Sequence, residues 1–298
     1  MYIISNPVAG KGIAAAALKT VLAALDAEGV AYTSAETERP GHATTLAREA
    51  AAGGEKLVLV IGGDGTIGEV AAGLLGTGTA LGIIPAGSGN DLVKALKIPL
   101  DPLAALEIAR HGQVRPMDTC TANGKSYSNI AGFGFDVDVL VKTDYYMGIG
   151  YTGSRAYRKG LFSSLKHLDH RQTHITWVDE KGERHEMDRN LLILAACNGT
   201  NFGGGMAVAP KADPFDGMLD ICVIHDVHWW NVWFVLPLFL KGKHLGLKCV
   251  DYFHAVELTA VAEPESRIQL DGEVQPGTPV TFRLEKEKLG VMMPAADA

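Results

Sequence analysis

The chain has 298 residues, 47% of them hydrophobic and 20% charged, an ordinary balance for a globular protein and a length that suits two domains. Its formal net charge of −7 argues against a binder of nucleic acid or anionic membrane that works by bulk charge. Four cysteines (Cys120, Cys197, Cys222, Cys249) are widely spaced with no CxxC, so buried reduced thiols and a cytoplasmic address are expected. No secretory signal is expected ahead of Tyr2-Ile3-Ile4, and no apolar run reaches the roughly 18–20 residues that span a bilayer.

Residues 1–5 read as a buried strand that ends in Asn6-Pro7-Val8-Ala9-Gly10-Lys11-Gly12. Residues 13–28 read as an alanine-rich amphipathic helix stopped by Gly29, and 31–35 as a short strand. The segment Thr37-Glu38-Arg39-Pro40-Gly41-His42-Ala43-Thr44 then opens a helix over 44–52. Residues 57–61 are five apolar residues without alternation, as in a strand buried on both faces. They run into Gly62-Gly63-Asp64-Gly65-Thr66 and a helical pattern over 67–75. Residues 81–84 repeat the device with Pro85-Ala86-Gly87-Ser88-Gly89-Asn90-Asp91. A helix capped by Asp101-Pro102 ends near Gly112. This β/α alternation predicts a parallel sheet with helices on both faces.

After Gly112 strand-like runs dominate: 126–130, 135–141, 174–178, 191–197, 219–225, 255–261, 268–270 and 280–284. Asn123-Gly124 and Glu180-Lys181-Gly182 read as hairpin turns, so an antiparallel β-sandwich is expected. Two insertions interrupt it, over 144–170 and 227–247. The second holds Trp229, Trp230, Trp233 and Phe234, followed by Lys241 and Lys243. It reads either as a helix packed on the sandwich or as a membrane-interface contact.

The glycine turns after residues 61 and 84 carry the first chemical signal. Glycines leave the backbone bare, and the turns open helices whose N–H groups and dipole favour phosphate. Neighbouring parallel strands would bring two such loops into one polyphosphate crevice, with Asp64 and Asp91 as added carboxylates. Neither loop is a GxxxxGK[ST] P-loop or a GxGxxG dinucleotide turn. Lys11 and Asn6 could reach a nucleotide, or simply belong to a β–α turn. In the β half, the glycines of Ser128-Asn129-Ile130-Ala131-Gly132-Phe133-Gly134-Phe135-Asp136 suggest a bulge or a close backbone approach. Asp213, Asp216 and Asp220, around a Pro-Gly turn, could hold a hard cation with backbone carbonyls, or form a solvated acidic turn. Gln269-Leu270-Asp271-Gly272-Glu273 could present a general base with a second carboxylate, or be a plain hairpin turn.

Taken in order, NPVAGKG, TERPGHATTLAREA, GGDGTIGEVAAGL, IIPAGSGNDLVKAL, NIAGFGFDVDV, NGTNFGGGMAVAPKADPFDGMLD and QLDGE resemble the diacylglycerol kinase catalytic-domain family. The resemblance is specifically to the soluble bacterial YegS-like lipid kinases, with sphingosine and ceramide kinases more distant. It implies a three-layer α/β ATP-binding domain over 1–118, similar to that of NAD kinases and phosphofructokinases, to which a tail over about 286–298 could return. A β-sandwich lipid-substrate domain over 119–285 follows, and the active site would lie in the interdomain cleft. Residue by residue, Gly62, Gly63, Asp64, Gly65 and Thr66 match the nucleotide-phosphate loop, with Glu69 after it, and Asn6 and Lys11 match the first nucleotide-facing loop. Thr37 and Thr44 flank the adenine side, and Gly87, Ser88, Gly89, Asn90 and Asp91 match the second glycine loop. Asp271 matches the general base, Glu273 its carboxylate neighbour, and Asp118 a carboxylate of the active-site network. Asp213, Asp216 and the Met218 carbonyl match a structural magnesium site. Position 68 is Gly where the family usually carries Asn, which removes one side-chain contact.

The resemblance thus implies an ATP- and Mg²⁺-dependent kinase of a lipid hydroxyl such as that of diacylglycerol, with Asp64 as the best candidate to hold the nucleotide's Mg²⁺. A lipid partner is implied and a nucleic acid is not. Peripheral membrane contact and a homodimer both stay open. Two alternatives stand beside it: a kinase of a soluble substrate like an NAD kinase, which shares GGDGT but not PAGSGND or LDGE, and a non-catalytic lipid-binding protein.

Overall fold

The computed structural model describes residues 1–166 and 168–295. In chain order the first elements are β1 (Tyr2–Ser5), α1 (Ile13–Ala27), β2 (Thr33–Glu36), α2 (His42–Ala52), β3 (Leu57–Gly62), α3 (Asp64–Leu74), β4 (Ala80–Pro85), α4 (Asp91–Ala95), α5 (Pro102–His111) and β5 (Gln113–Met117). There follow β6 (Cys120–Ala122), β7 (Lys125–Tyr127), β8 (Ile130–Gly134), α6 (Phe135–Gly148), α7 (Gly153–Ser164), β9 (Arg171–Val178), β10 (Arg184–Cys197), β11 (Leu219–His225) and α8 (Val232–Leu240). The last are β12 (Val250–Ala255), β13 (Glu257–Glu263), β14 (Ile268–Leu270), β15 (Glu273–Gln275), β16 (Val280–Leu284) and β17 (Leu289–Met293). The described residues form two compact units, one within 1–119, 214–216 and 285–295, the other within 120–213 and 217–284.

The first unit is built on a six-stranded sheet in the order β2-β1-β3-β4-β17-β5. β1 to β4 are parallel, and β17 runs parallel to β4 and antiparallel to β5. The helices supply the covering apolar stripes: Ala14, Ala17, Val21 and Leu25 of α1 are buried at helical spacing, as are Ala43, Leu46, Ala47 and Ala50 of α2. Strand order reverses between β1 and β3, with β2 on one side and β4 on the other. In open α/β sheets that switch point, at the carboxyl ends of the strands, is where ligands bind.

The second unit is an eleven-stranded network whose pairings are all antiparallel. It folds on itself around one core that includes Phe133, Ile175, Leu194, Ile221, Leu258, Ile268 and Phe282. The opposite faces of β8, β10 and β11 form a second core, with Ile130, Ile193, Ala195 and Cys222 under Phe135 and Val139 of α6 and Val232, Val235 and Phe239 of α8. Asn123 and Gly124, both at positive φ, make the β6–β7 turn. Gly132 and Gly134 serve a close backbone approach: a Cβ on either would come within 2.2 Å of a β10 carbonyl oxygen.

Three strand expectations need correction, and the simplest is 255–261, which is not one strand but the end of β12 and most of β13 with Val256 between them. Residues 135–141 are not a strand but the start of α6. The alternation Phe-Asp-Val-Asp-Val imitates a strand, yet Phe135, Val139 and Thr143 are buried at helical spacing and Asp138 falls in the first turn, where the dipole favours its charge. Residues 126–130 are not one strand but the end of β7 and the start of β8. Ser128 and Asn129 break the ladder there, and their amides turn to a carboxylate described below.

Candidate functional site

In the first unit the site is built outward from the start of α3. Gly62 and Gly63 bring β3 into the helix, and no Cβ fits at the crossing with the next loop: one on Gly87 would stand 2.5 Å from the Gly63 Cα. The two glycine turns are therefore in backbone contact. Gly10 of the first loop closes on the same place, since a Cβ there would lie 2.3 Å from the Ala86 carbonyl oxygen. Gly65 faces open space.

The polar residues of α3 fasten each neighbouring loop. Asp64 Oδ1 accepts the amides of Asp91 (2.7 Å) and Leu92 (3.3 Å), capping α4. Thr66 Oγ1 accepts from Asn6 Nδ2 at 3.0 Å, and Asn6 Oδ1 accepts the Val8 amide. Glu69 accepts the amides of Gly41 (2.9 Å) and Ala43 (3.1 Å), capping α2 from outside, while its own carbonyl accepts from Thr44 Oγ1. The spacing Asp64, Thr66, Glu69 thus ties the loops after β4, β1 and β2 to one helix. Asn90, at φ 51°, clamps its own turn: Oδ1 accepts the Gly87 amide and Nδ2 donates to the Gly87 carbonyl. Burial, then the Asp91 charge, raises the Asp64 carboxyl above the usual carboxylate range, against the pull of the Leu92, Asp91 and Asn90 amides. Asp91 itself is buried and bridged to Lys94 at 2.9 Å.

Asn6, Gly62, Gly63, Asp64, Thr66, Gly87, Gly89, Asn90 and Asp91 are therefore gathered in one place, since a Cβ on Gly89 would lie 3.0 Å from Asp64 Oδ2. Lys11 and Ser88 are exposed on their loops, and the Thr37 amide donates to the Ser5 carbonyl at the end of β1. Thr44 and Glu69 face each other across α2 and α3, so both hold the scaffold of the 37–44 segment. Asp118 is buried, ion-paired with Lys288, and donates its amide to the Pro214 carbonyl at 2.8 Å.

In the second unit the centre is the β14–β15 hairpin. Asp271 (φ 48°) and Gly272 (φ 90°) are its two turn residues, between the paired Leu270 and Glu273. The Asp271 carboxylate reaches back to the break between β7 and β8. Oδ2 accepts the Ser128 amide at 2.7 Å, and Oδ1 accepts those of Asn129 and Ile130, both at 3.0 Å. Glu273 is exposed, 3.8 Å from Lys125 Nζ.

Asp136 is a residue to which sequence reasoning gave no role. It is 6% exposed, and its Oδ1 has no hydrogen-bond partner among the described residues. Burial first, and Asp138 in addition, push its carboxyl up to about 7, against the Val137 amide and the Gln269 side chain. Gln269 Oε1 accepts the Gly272 amide at 2.8 Å, so Asp136 borders the hairpin that carries Asp271. An aspartate between Phe135 and Val137 in an apolar run was the available signal.

The candidate cation residues divide between the units: Asp213 and Met218 belong to the second, Asp216 to the first. The buried Asp220 carboxyl is raised by burial, with a further contribution from the Asp213 charge, while Tyr252 and His254 hydrogen bonds oppose it.

An α/β sheet with interlocked glycine loops at the carboxyl ends of its strands, together with an antiparallel second unit, defines a two-part protein of the α/β-plus-β class. Two family models divide the chain between them: "Diacylglycerol kinase catalytic domain" matches residues 1–122, and "YegS C-terminal NAD kinase beta sandwich-like domain" matches residues 129–293. A diacylglycerol kinase of Bacillus subtilis (strain 168) is 30% identical over 99% of this chain and 97% of its own. A YegS-like probable lipid kinase of Xanthomonas campestris pv. campestris is 30% identical over 90% and 88%. A crystal structure from Bacillus anthracis str. Sterne, assigned as a candidate diacylglycerol kinase, superposes with a TM-score of 0.78 at 25% identity, covering 98% of this chain and 96% of the other. The chain belongs to the diacylglycerol kinase catalytic-domain family of lipid kinases, in its YegS-like branch.

Proposed function

We propose that this protein transfers the γ-phosphoryl group of ATP to the hydroxyl of a lipid of the diacylglycerol class. The observation that carries the nucleotide half is the interlocked loop set at the carboxyl ends of β1, β3 and β4, next to the switch point, where bare glycine backbone of the turns after β3 and β4 is in contact and Asp64 and Asp91 stand together. In the transfer, the lipid oxygen bonds to the γ-phosphorus, the bond from that phosphorus to the β,γ-bridging oxygen breaks, ADP leaves, and the hydroxyl proton passes to the Asp271 carboxylate. Positioning and charge stabilisation supply most of such a rate.

The residues present fit Mg²⁺. The donors are hard oxygens, and the strained ionisation of Asp64 beside Asp91 is what a divalent cation relieves. Asp64 would hold the nucleotide's ion, which neutralises phosphate charge when bound. The resemblance assigns a second, structural ion to Asp213 among others, and the charge that Asp213 adds to Asp220 within the second unit suits it. Lys11, with Asn6, would meet the nucleotide, and Asp118 would help order the active-site network. Glu273 would keep negative charge near Asp271.

The test is transfer from γ-labelled ATP to a panel of lipids in mixed micelles with Mg²⁺, with NAD as the soluble control. Label in one organic-phase product is expected. Label only in the aqueous NAD product would move the activity to a soluble substrate. Asp271→Asn is expected to keep ATP binding within a few-fold and to abolish turnover, and retained turnover removes Asp271 from its role.

A further inference from the structure

Helix α8 reverses the usual pattern of a surface helix. Val232, Val235 and Phe239 are buried against the sheet, as an amphipathic helix requires. The outward side should then be polar, yet Trp233, Phe234 and Leu240 are exposed at 59%, 64% and 44%. Trp229 and Trp230, just before the helix, are exposed at 70% and 62%. All nine residues of α8 are apolar, and Pro237 lies within it. At nine residues it is far too short to cross a bilayer, and no helix among the described residues is long and apolar enough to do so. An exposed apolar ridge of this kind needs an occupant.

Charge selects the occupant. From Val227 to Val250 there is no Asp or Glu, in a chain that has 34 of them and a net charge of −7. Lys241, Lys243 and Lys248 are exposed in the same stretch. A second copy of the chain fits poorly, because an isologous contact sets each patch against itself and would crowd these lysines with no carboxylate in the stretch to answer them. A bilayer with anionic headgroups answers both features: indole rings settle at the headgroup level, and lysines meet lipid phosphates.

We infer that the ridge of Trp229, Trp230, Trp233 and Phe234, flanked by Lys241 and Lys243, docks this protein on the surface of an anionic bilayer. The inference rests on the lipid-kinase reading for its purpose, since a docked enzyme can take its substrate from the membrane, but it stands on the ridge for its physics. The apolar side chains would enter the boundary between headgroups and acyl chains, about 5–10 Å deep.

The test uses the full chain and vesicles of phosphatidylglycerol and phosphatidylcholine in equal parts, without ATP. Three of the protein's four tryptophans lie in the ridge, so its own emission reports docking. Wild type is expected to co-sediment with the vesicles, to shift its emission to the blue, and to be quenched more by bromines high on the acyl chain than by bromines near its end. Trp229→Gln/Trp233→Gln is expected to bind on the order of tenfold more weakly, with unchanged urea unfolding as proof of its fold. High salt should weaken binding of both proteins through the lysines. Wild type that stays in the supernatant, or a double variant that binds as well as wild type, overturns the inference. So does a wild-type dimer in sedimentation equilibrium that the double variant dissolves, because the occupant is then a second copy. Because docking is read without turnover, a failure of lipid phosphorylation with vesicle binding intact removes the kinase reading and leaves the docking surface in place.

Discussion

Replacing Asp136 by Asn tests the most unusual carboxyl in the second unit. Its ordinary value of 3.8 is pushed up to about 7, chiefly by burial. Below pH 3.8 the group is neutral in both the folded and the unfolded chain and adds no pH dependence. Above it the unfolded chain ionises while the folded carboxyl keeps its proton, so stability falls as pH rises, until the folded group also ionises near 7. The fall levels off there. At about 1.4 kcal/mol per pH unit, the whole span amounts to about 4 kcal/mol, of which about 2 kcal/mol falls between pH 5.5 and pH 8. Asparagine does not titrate, so the variant should lack this slope. Urea unfolding is the assay, followed by tryptophan emission. All four tryptophans lie in the second unit, and Trp177 packs on Phe253 and His185. The stability of Asp136→Asn relative to wild type should rise by about 2 kcal/mol from pH 5.5 to pH 8. A flat difference, or a variant that loses ground as pH rises, would show that the folded protein holds Asp136 ionised, and would refute the reading of a carboxyl buried without adequate partners.

The interlocked loops make two further predictions. Gly87→Ala would place a Cβ 2.5 Å from the Gly63 Cα and 2.8 Å from Asn90 Oδ1, so the loops must part. It should lose about 1–3 kcal/mol in thermal or urea unfolding and most of its ATP affinity by calorimetry. Gly65→Ala meets nothing within 4 Å and should fold as well as wild type or slightly better, yet bind ATP more weakly under the proposed function, in which the phosphates lie against its bare backbone. Equal ATP affinity in Gly65→Ala would place the phosphates elsewhere. Glu69→Ala leaves the Gly41 and Ala43 amides without their acceptor; amide hydrogen exchange should show both losing protection, at about 1–2 kcal/mol of stability.

What the sequence made legible was whatever is decided within a few residues. The apolar run before Gly62, the Asn123-Gly124 turn and the strands at 219–225, 268–270 and 280–284 all appear where local pattern places them. What it hid depended on partners far along the chain. The resemblance allowed a tail over about 286–298 to return to the first unit, but the place β17 takes beside β4, some 200 residues before it, is one that no local pattern announces. Glu69 sits three residues after Thr66 and looks like part of a nucleotide motif. Its partners at 41 and 43 belong to another helix, and only the fold shows that its carboxylate is a cap. At residues 135–141 two periods compete over too short a window. The helix wins because Phe135, Val139 and Thr143 need one face, and because Gly160 of α7 packs so close that a Cβ there would lie 2.5 Å from Thr143 Oγ1.

The Asp-Gly pair at 271–272 joins the two questions, fold and chemistry, in one side chain. As a turn it needs only residues that accept positive φ, and asparagine would serve there as well as aspartate. The anchoring role is stricter. Ser128 donates to Oδ2 while Asn129 and Ile130 donate to Oδ1, so both oxygens must accept. Asparagine would set an N–H₂ donor against one of these amides and leave it unmatched, a loss of about 1–3 kcal/mol. A fall in turnover in Asp271→Asn is therefore ambiguous until stability is read beside it. If the carboxylate only anchors residues 128–130, activity at low temperature should track the folded fraction and return as folding is restored. If it also takes the lipid proton, turnover should stay abolished in variant protein that is fully folded and still binds ATP. The pairing of those two measurements, not either one, assigns the residue.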